Sequence, residues 1–205
     1  MTDDEATLEA FYTPDNWAYV ITQRLVYTGL HGAWTPMRTI LEPTAGAGAF
    51  VKAAKRTWPD AHVTAIEINS REVPNLEAAG ADVIHAGDAT TLLPKAKKKY
   101  DLILTNPPFS LAERLVHLCL PLLTRDGHLA MLLKSSFIHG AGRLKTLWRP
   151  STYNGMACGL ECVIPLAVRP SFDGNGADRY DYSVFVWGYA RNGTLLSMPP
   201  LTLEG

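Results

Sequence analysis

The sequence predicts an α/β fold, and three features carry that reading. Short apolar runs alternate with stretches of helical period along most of the chain. A Gly-rich turn, Glu42-Pro43-Thr44-Ala45-Gly46-Ala47-Gly48, sits between an apolar run and a helical one. A second loop, Asn106-Pro107-Pro108-Phe109, follows directly on another apolar run.

The elements follow in order. Phe11 to Thr28 has Trp17, Val20, Ile21, Leu25 and Val26 at helical spacing, with Thr13 as the expected cap, Pro14 in the first turn and Gly29 as the stop. Met37 to Leu41 is a short strand into the Gly-rich turn, and Ala49 to Thr57 is a helix that Pro59 prevents from continuing. Strands are expected at His62 to Ile68, Ala81 to His85 and Tyr100 to Thr105, then a helix at Leu111 to Leu123 and a strand at His128 to Lys134. Ser135 to Gly159 has no strong period and reads as irregular. Two further β runs, Glu161 to Arg169 and Tyr182 to Tyr189, flank a loop with the Gly and Asx content of a hairpin connection.

A chain of 205 residues suits a single core, so residues 1–195 are expected to form one domain and 196–205 a loose tail. With 47% apolar and 19% charged residues, wholesale disorder is excluded. Three scattered cysteines exclude a disulfide framework and point to a reducing cytoplasm. The acidic start, Met1-Thr-Asp-Asp-Glu-Ala, is not expected to act as a secretory signal, and no run approaches the ~18 apolar residues of a membrane span. A net charge of −1 argues against a strongly basic coat but leaves room for a local basic face.

The two loops carry the chemistry. Gly46-x-Gly48 between strand and helix suits close approach of backbone to a ligand. The third glycine of a dinucleotide fingerprint would fall at Val51, which disfavours a nicotinamide cofactor. Glu67 ends the next strand, 19 residues beyond Gly48, where a carboxylate can accept from two ribose hydroxyls. Glu42, between Leu41 and Pro43, looks buried and needs a cationic or donor partner, for which a ligand amino group is one candidate. In Asn106-Pro107-Pro108-Phe109, two prolines fix φ near −65° and remove donors, so a stiff loop presents carbonyl and carboxamide oxygens. It stands where open α/β sheets bind ligands.

These residues resemble a known family. Leu41 to Phe50 (Leu-Glu-Pro-Thr-Ala-Gly-Ala-Gly-Ala-Phe) resembles motif I of the S-adenosylmethionine-dependent amino-methyltransferases, and Asn106 to Phe109 their motif IV. Phe11-Tyr-Thr-Pro14 resembles motif X, Glu67-Ile-Asn69 the motif II acid and Gly87-Asp88-Ala89 motif III. The order is similar to the gamma arrangement of the DNA N6-adenine methyltransferases. The last two β runs resemble the closing hairpin of small phage and bacterial members. The resemblance implies a class I methyltransferase Rossmann-like fold: seven mostly parallel strands, helices on both faces and an antiparallel last strand.

It also implies roles. Tyr12, Thr13 and Pro14 would border the methionine end of S-adenosylmethionine. Glu42 would face its amino group, and Pro43, Ala45, Gly46, Gly48 and Phe50 belong to the same motif. Glu67 would bind the ribose, Ile68 would pack on the adenine, and Asp88 with Ala89 would meet the adenine amino group. Asn106 and the Pro107 carbonyl would accept the two hydrogens of a planar acceptor amine, turning its lone pair toward the methyl group by orientation and electrostatics. Phe109, after Pro108, would stack on the acceptor base, at ~1–3 kcal/mol per base, offsetting part of the cost of flipping it.

Other constellations are weaker. Six histidines show no metal-ligand spacing, Cys158 and Cys162 lack zinc-site partners, and Lys95-Ala-Lys-Lys-Lys99 reads as a solvated turn. No metal is expected. Between Lys134 and Arg169 lie five basic residues (Lys134, Arg143, Lys145, Arg149, Arg169) and one acid, Glu161, with Trp148 among them. That segment, centred on 135–160, is the expected nucleic-acid contact. It is too short for a target-recognition domain, so the expected activity is methylation of adenine N6 in DNA with relaxed or short sequence preference. The rivals are transfer to an RNA base or a protein glutamine and, from another class, a non-catalytic S-adenosylmethionine-binding partner subunit.

Overall fold

A computed structural model describes residues 12–27, 37–143, 147, 151–153, 156–172, 176–189 and 196–197. Among them the order is α1 (Asp15–Tyr27), β1 (Thr39–Glu42), α2 (Ala49–Thr57), β2 (His62–Glu67), α3 (Val73–Ala78), β3 (Val83–Ala86), α4 (Ala89–Leu92) and β4 (Tyr100–Thr105). There follow α5 (Ala112–Cys119), β5 (Leu123–Lys134), α6 (Ala141–Arg143), β6 (Ser151–Tyr153), β7 (Met156–Pro165), β8 (Tyr182–Tyr189) and β9 (Leu196–Ser197).

The strands form one sheet in the order β3-β2-β1-β4-β5-β8-β7-β6, with β9 also on β7. The first seven of these positions are the expected seven-stranded sheet. β8, the last of the seven in sequence, alone runs antiparallel to its neighbours β5 and β7. Along β4, β5 and β8 alternate side chains enter opposite layers, as a two-residue period requires. Leu102, Leu104, Ala130, Leu132, Val184 and Val186 join α1, α2 and α3 residues on one face. Ile103, Leu129, Met131, Leu133, Phe185 and Trp187 join those of α4 and α5 on the other. A sheet covered on both faces reads as near-continuous apolar sequence, which is why these strands stand out.

Several expectations need correction. α1 begins at Asp15, so Thr13 lies before the helix and its hydroxyl serves elsewhere, while Phe11, Thr28 and Gly29 lie outside the described residues. β5 starts at Leu123 rather than His128, with Thr124–Gly127 bulged out between the pairs Tyr100–Leu123 and Leu102–His128. The segment read as irregular holds a 3-10 turn at Ser135–Ile138, α6, β6 and the first residues of β7. β7 runs from Met156 to Pro165, ending short of Arg169. Of the tail, Leu196 and Ser197 pair in parallel with Cys162 and Val163, so this part is a sheet edge.

Deep in the β5–β8–β7 region His128 Nε2 meets Glu161 Oε2 at 2.9 Å, both side chains largely buried. Gly188 leaves room for them, because a Cβ there would fall 2.8 Å from the Glu161 carboxylate and 2.8 Å from the His128 ring. Gly127 is tighter still: a Cβ would stand 2.6 Å from the Tyr100 carbonyl oxygen, which is sheet backbone. Gly127→Ala is therefore expected to destabilise the fold by about 1–3 kcal/mol, the usual range for overpacking. A denaturant titration checks this, and a midpoint equal to wild type would refute it.

Candidate active site

The strand order reverses at β1, whose neighbours β2 and β4 lead to opposite halves of the sheet, and crevices form at such points outside the strand carboxyl ends. Two adjoining clefts lie there, of about 140 Å³ and about 80 Å³. Both are bordered by Tyr12, Thr44, Gly46 and Asn106.

The turn between β1 and α2 is built by Gly46 and Gly48, with φ of +51° and +85°, values that side-chain-bearing residues rarely adopt. A Cβ on Gly46 would stand 3.1 Å from the Tyr12 ring, a tight contact that would ask the ring to shift slightly. The backbone is then tied to β2. Ala45 N–H donates to the Ile66 carbonyl at 2.9 Å and Gly46 N–H to Glu67 Oε2 at 2.7 Å. The other oxygen of Glu67 accepts from Asn69 N–H at 2.8 Å, and its carbonyl accepts from Gly87 N–H at 2.8 Å. Glu67 thus joins three loops, a role the sequence did not suggest.

Glu42 is 4% exposed, and its Oε2 has no hydrogen-bond partner among the described residues. Burial first, and then the neighbouring Glu67, push its carboxyl well above the usual carboxylate range, against the pull of a backbone N–H at Val51. Glu42 borders the smaller cleft together with Thr13, Ala45 and Asp15. The larger cleft takes Glu67, Ile68, Asp88 and Ala89, with Pro43 at the turn and Pro108 on the opposite side. Ile68 is 53% exposed, an apolar platform with nothing lying on it among the described residues. Asp88 caps α4: Oδ1 accepts from Thr90 N–H and Oδ2 from the Thr90 hydroxyl, both at 2.8 Å. The Thr90 hydroxyl bond, more than any other contact, holds its carboxyl below the ordinary value.

Three residues of the expected cofactor set border neither cleft. Phe50 is turned into the core, Gly48 starts α2 against Ala79 and Leu76, and Pro14 receives the first helical bond of α1 from Ala18 N–H. Thr44, Asn69, Thr90 and Leu111 border the larger cleft and were not singled out from sequence. Thr44 lies inside the Gly-rich motif, and Thr90 follows Asp88 at helix-capping distance, so both left a readable signal.

Asn106 follows β4 directly, and both it and the residue before it are hydrogen-bonded to other loops. The hydroxyls of Thr105 and Thr44 meet at 2.6 Å, and Asn106 Nδ2 donates to Thr13 Oγ1 at 3.1 Å. Pro107 is buried beneath, and Phe109 is half-buried, packing against both core layers rather than standing exposed. Lys134 Nζ lies 4.6 Å from the Phe109 ring centre and 3.8 Å from that of Tyr180.

Of the expected basic face, Lys134, Arg143 and Arg169 lie among the described residues. Arg143 donates to the carbonyls of Phe137 and His139 and lies 3.6 Å from Glu113, and Arg169 pairs with Asp181 at 2.8 Å. Lys145, Trp148 and Arg149 lie outside the described residues. Cys158 and Cys162 are core residues whose burial pushes their thiols up to about 12. No helix among the described residues is long and apolar enough to cross a membrane.

Glu42 makes a stability prediction. Because its folded value is raised, the native state holds a proton that the unfolded chain has released between the ordinary carboxylate value and the raised one, so stability falls as pH rises through that window. Glu42→Gln should melt higher than wild type at pH 8, by about 2–4 °C per kcal/mol of relieved desolvation, with a smaller gain at pH 4. An unchanged or lower melting temperature at pH 8 would contradict this.

Comparison with known proteins agrees with the geometry. The family model described as "Methyltransferase small domain" matches residues 23–146. Over 99 residues the chain is 27% identical to the type II methyltransferase M.CvrRI of Paramecium bursaria Chlorella virus XZ-6E. That stretch is 48% of this chain and 24% of the viral protein, so the chain spans about a quarter of the length of the relative it matches. A putative class I S-adenosylmethionine-dependent methyltransferase from Listeria monocytogenes superposes with a TM-score of 0.66 at 12% identity, covering 94% of this chain and 67% of that one. A putative RNA methyltransferase from Pyrococcus horikoshii gives a TM-score of 0.61 at 16% identity, covering 89% of each chain. The sheet order, the clefts at its switch point and the matched family model converge: the chain belongs to the methyltransferase small domain family.

Proposed function

We infer that this chain is an S-adenosylmethionine-dependent methyltransferase acting on the exocyclic N6 amine of adenine in DNA, with short or relaxed sequence preference. The observation that carries the reading is the Asn106-Pro107-Pro108-Phe109 loop at the carboxyl end of β4, whose Asn106 borders both clefts. The match to a viral type II methyltransferase supports it.

The residues fit the cofactor. A buried carboxyl oxygen without a partner, Glu42 Oε2, suits an ammonium group, and charge there would be balanced only on binding. Thr13 and Ala45 flank that end, while Glu67, Ile68, Asp88 and Ala89 form the adenosine end: acceptors for hydroxyls, an apolar platform and an acceptor for an amine. When bound, S-adenosylmethionine supplies a sulfonium methyl group open to in-line displacement. Glu67 keeps its two backbone bonds and uses remaining lone pairs for the ribose, so it orders the turn and holds the ligand with the same carboxylate.

On the acceptor side, Asn106 Oδ1 and the Pro107 carbonyl would accept hydrogen bonds from the two amine hydrogens, turning the nitrogen lone pair toward the methyl donor, with the thioether as leaving group and one nitrogen proton passing to solvent. An aryl amine is a poor nucleophile because its lone pair is shared with the ring. Fixed acceptors that favour a tetrahedral nitrogen therefore lower the barrier without a strong base. Phe109 supplies the stacking surface. A planar nitrogen in RNA or a glutamine amide would be held in the same way, so the acceptor is decided by assay.

Transfer of a tritiated methyl group to duplex DNA, RNA and glutamine-containing peptides, run side by side, is expected to label DNA at adenine N6. Label in RNA or peptide instead would overturn the DNA reading. Asn106→Ala should reduce transfer by about 10²–10³-fold, the usual cost of removing one oriented polar group. Unchanged transfer would refute the loop's role.

A further inference from the structure

Asn106 needs a defined orientation to work, because only one end of its carboxamide accepts hydrogen bonds. The chain contains a device for this that lies 93 residues away in sequence: Asn106 Nδ2 donates to Thr13 Oγ1 at 3.1 Å. That bond consumes an amide hydrogen, so the nitrogen end is turned to Thr13 and the oxygen end is turned away from it.

Thr13 is itself well fixed. It precedes Pro14, and a residue before proline is confined to extended conformations, which limits where its side chain can stand. Pro14 leads straight into α1, whose Trp17, Ala18, Ile21 and Leu25 are buried in the core layer that also takes Leu102 and Leu104 of β4. An ion pair between Asp15 and Lys52 ties the start of α1 to α2. The position of Thr13 relative to the end of β4 is therefore set by core packing rather than by the loop that carries it. On the other flank, the Thr105–Thr44 hydroxyl bond fixes the residue before Asn106.

We propose that Thr13 is a positioning residue for methyl transfer, holding the Asn106 carboxamide with its oxygen toward the acceptor amine. The role differs from the cofactor contact expected of Thr13 from sequence, although Thr13 also borders the smaller cleft. It rests on the reading of Asn106-Pro107-Pro108-Phe109 as the acceptor loop. The two roles separate in measurement. A positioning hydroxyl acts on the rate of transfer, whereas a cofactor contact acts on cofactor affinity.

The test uses the full chain, with the acceptor being whichever of duplex DNA, RNA and glutamine-containing peptide the wild-type protein methylates fastest. Thr13→Val keeps shape and removes the hydroxyl, and Thr13→Ser keeps the hydroxyl. In Thr13→Val, kcat should fall about tenfold or more, as misplacement of a reacting group does, while the S-adenosylmethionine Kd from calorimetry stays within about twofold. Thr13→Ser should recover kcat to within about threefold of wild type, and both variants should melt close to wild type, placing the loss in orientation rather than folding. An unchanged kcat in Thr13→Val, a Kd that weakens as much as kcat falls, or a failure of Thr13→Ser to rescue would overturn the proposal. If Asn106→Ala abolishes transfer while Thr13→Val leaves it intact, only the positioning role fails. If Asn106→Ala leaves transfer intact, or the wild-type protein methylates none of the three acceptors, the reading of the loop fails and takes the proposal with it.

Discussion

The carboxylate of Glu67 is the constraint on which the site depends. Its two oxygens accept from Gly46 and Asn69 N–H, and its carbonyl accepts from Gly87, so one residue at the end of β2 fixes the turns after β1, β2 and β3. Hydrogen bonds to an ionised acceptor are about twice as strong as neutral ones, and burial to 8% exposure makes losing them expensive. Glu42, which borders the adjoining cleft, has the opposite character. It is more deeply buried, its Oε2 has no partner among the described residues, and burial first and then Glu67 push its carboxyl well above the usual range. One acid is satisfied by the protein and gives structure. The other keeps an oxygen unsatisfied among the described residues, and the fold bears the cost of burying it.

The sheet supplies the frame for this division. Parallel strands bring every carboxyl end to one edge, and the reversal of order at β1 opens a crevice between Gly46 and Asn106. Both core layers then matter to chemistry: one seats α1 and so Thr13, the other seats α5 behind Leu111, and Phe109 touches each.

The parts legible in sequence were those governed by local rules. The Gly46–Gly48 turn needs positive φ, Pro107 and Pro108 impose a stiff strand end, and β4 and α2 fall at their expected bounds because their patterns are uninterrupted. A buried Glu42 could be read from its apolar neighbours. What escaped was long-range. The bulge at Thr124–Gly127 is a shift of register against β4, the His128–Glu161 contact joins residues 33 apart in sequence, and β6 and β9 are paired to β7. A charge count likewise cannot see local partners: Arg143 donates to the carbonyls of Phe137 and His139, and Arg169 pairs with Asp181. Thr13, read as a cap, is instead a tertiary contact.

Lys134 adds a consequence of a different kind. Its ammonium stands over the Phe109 and Tyr180 rings, each such contact contributing roughly 0.5–1 kcal/mol at an exposed site. Both rings are thus already engaged by an ammonium of the same chain. If Phe109 serves as the stacking surface inferred for it, capture there is a swap and not a simple addition: an incoming ring has to gain more than the cation contacts it displaces, and the ammonium is set free beside it.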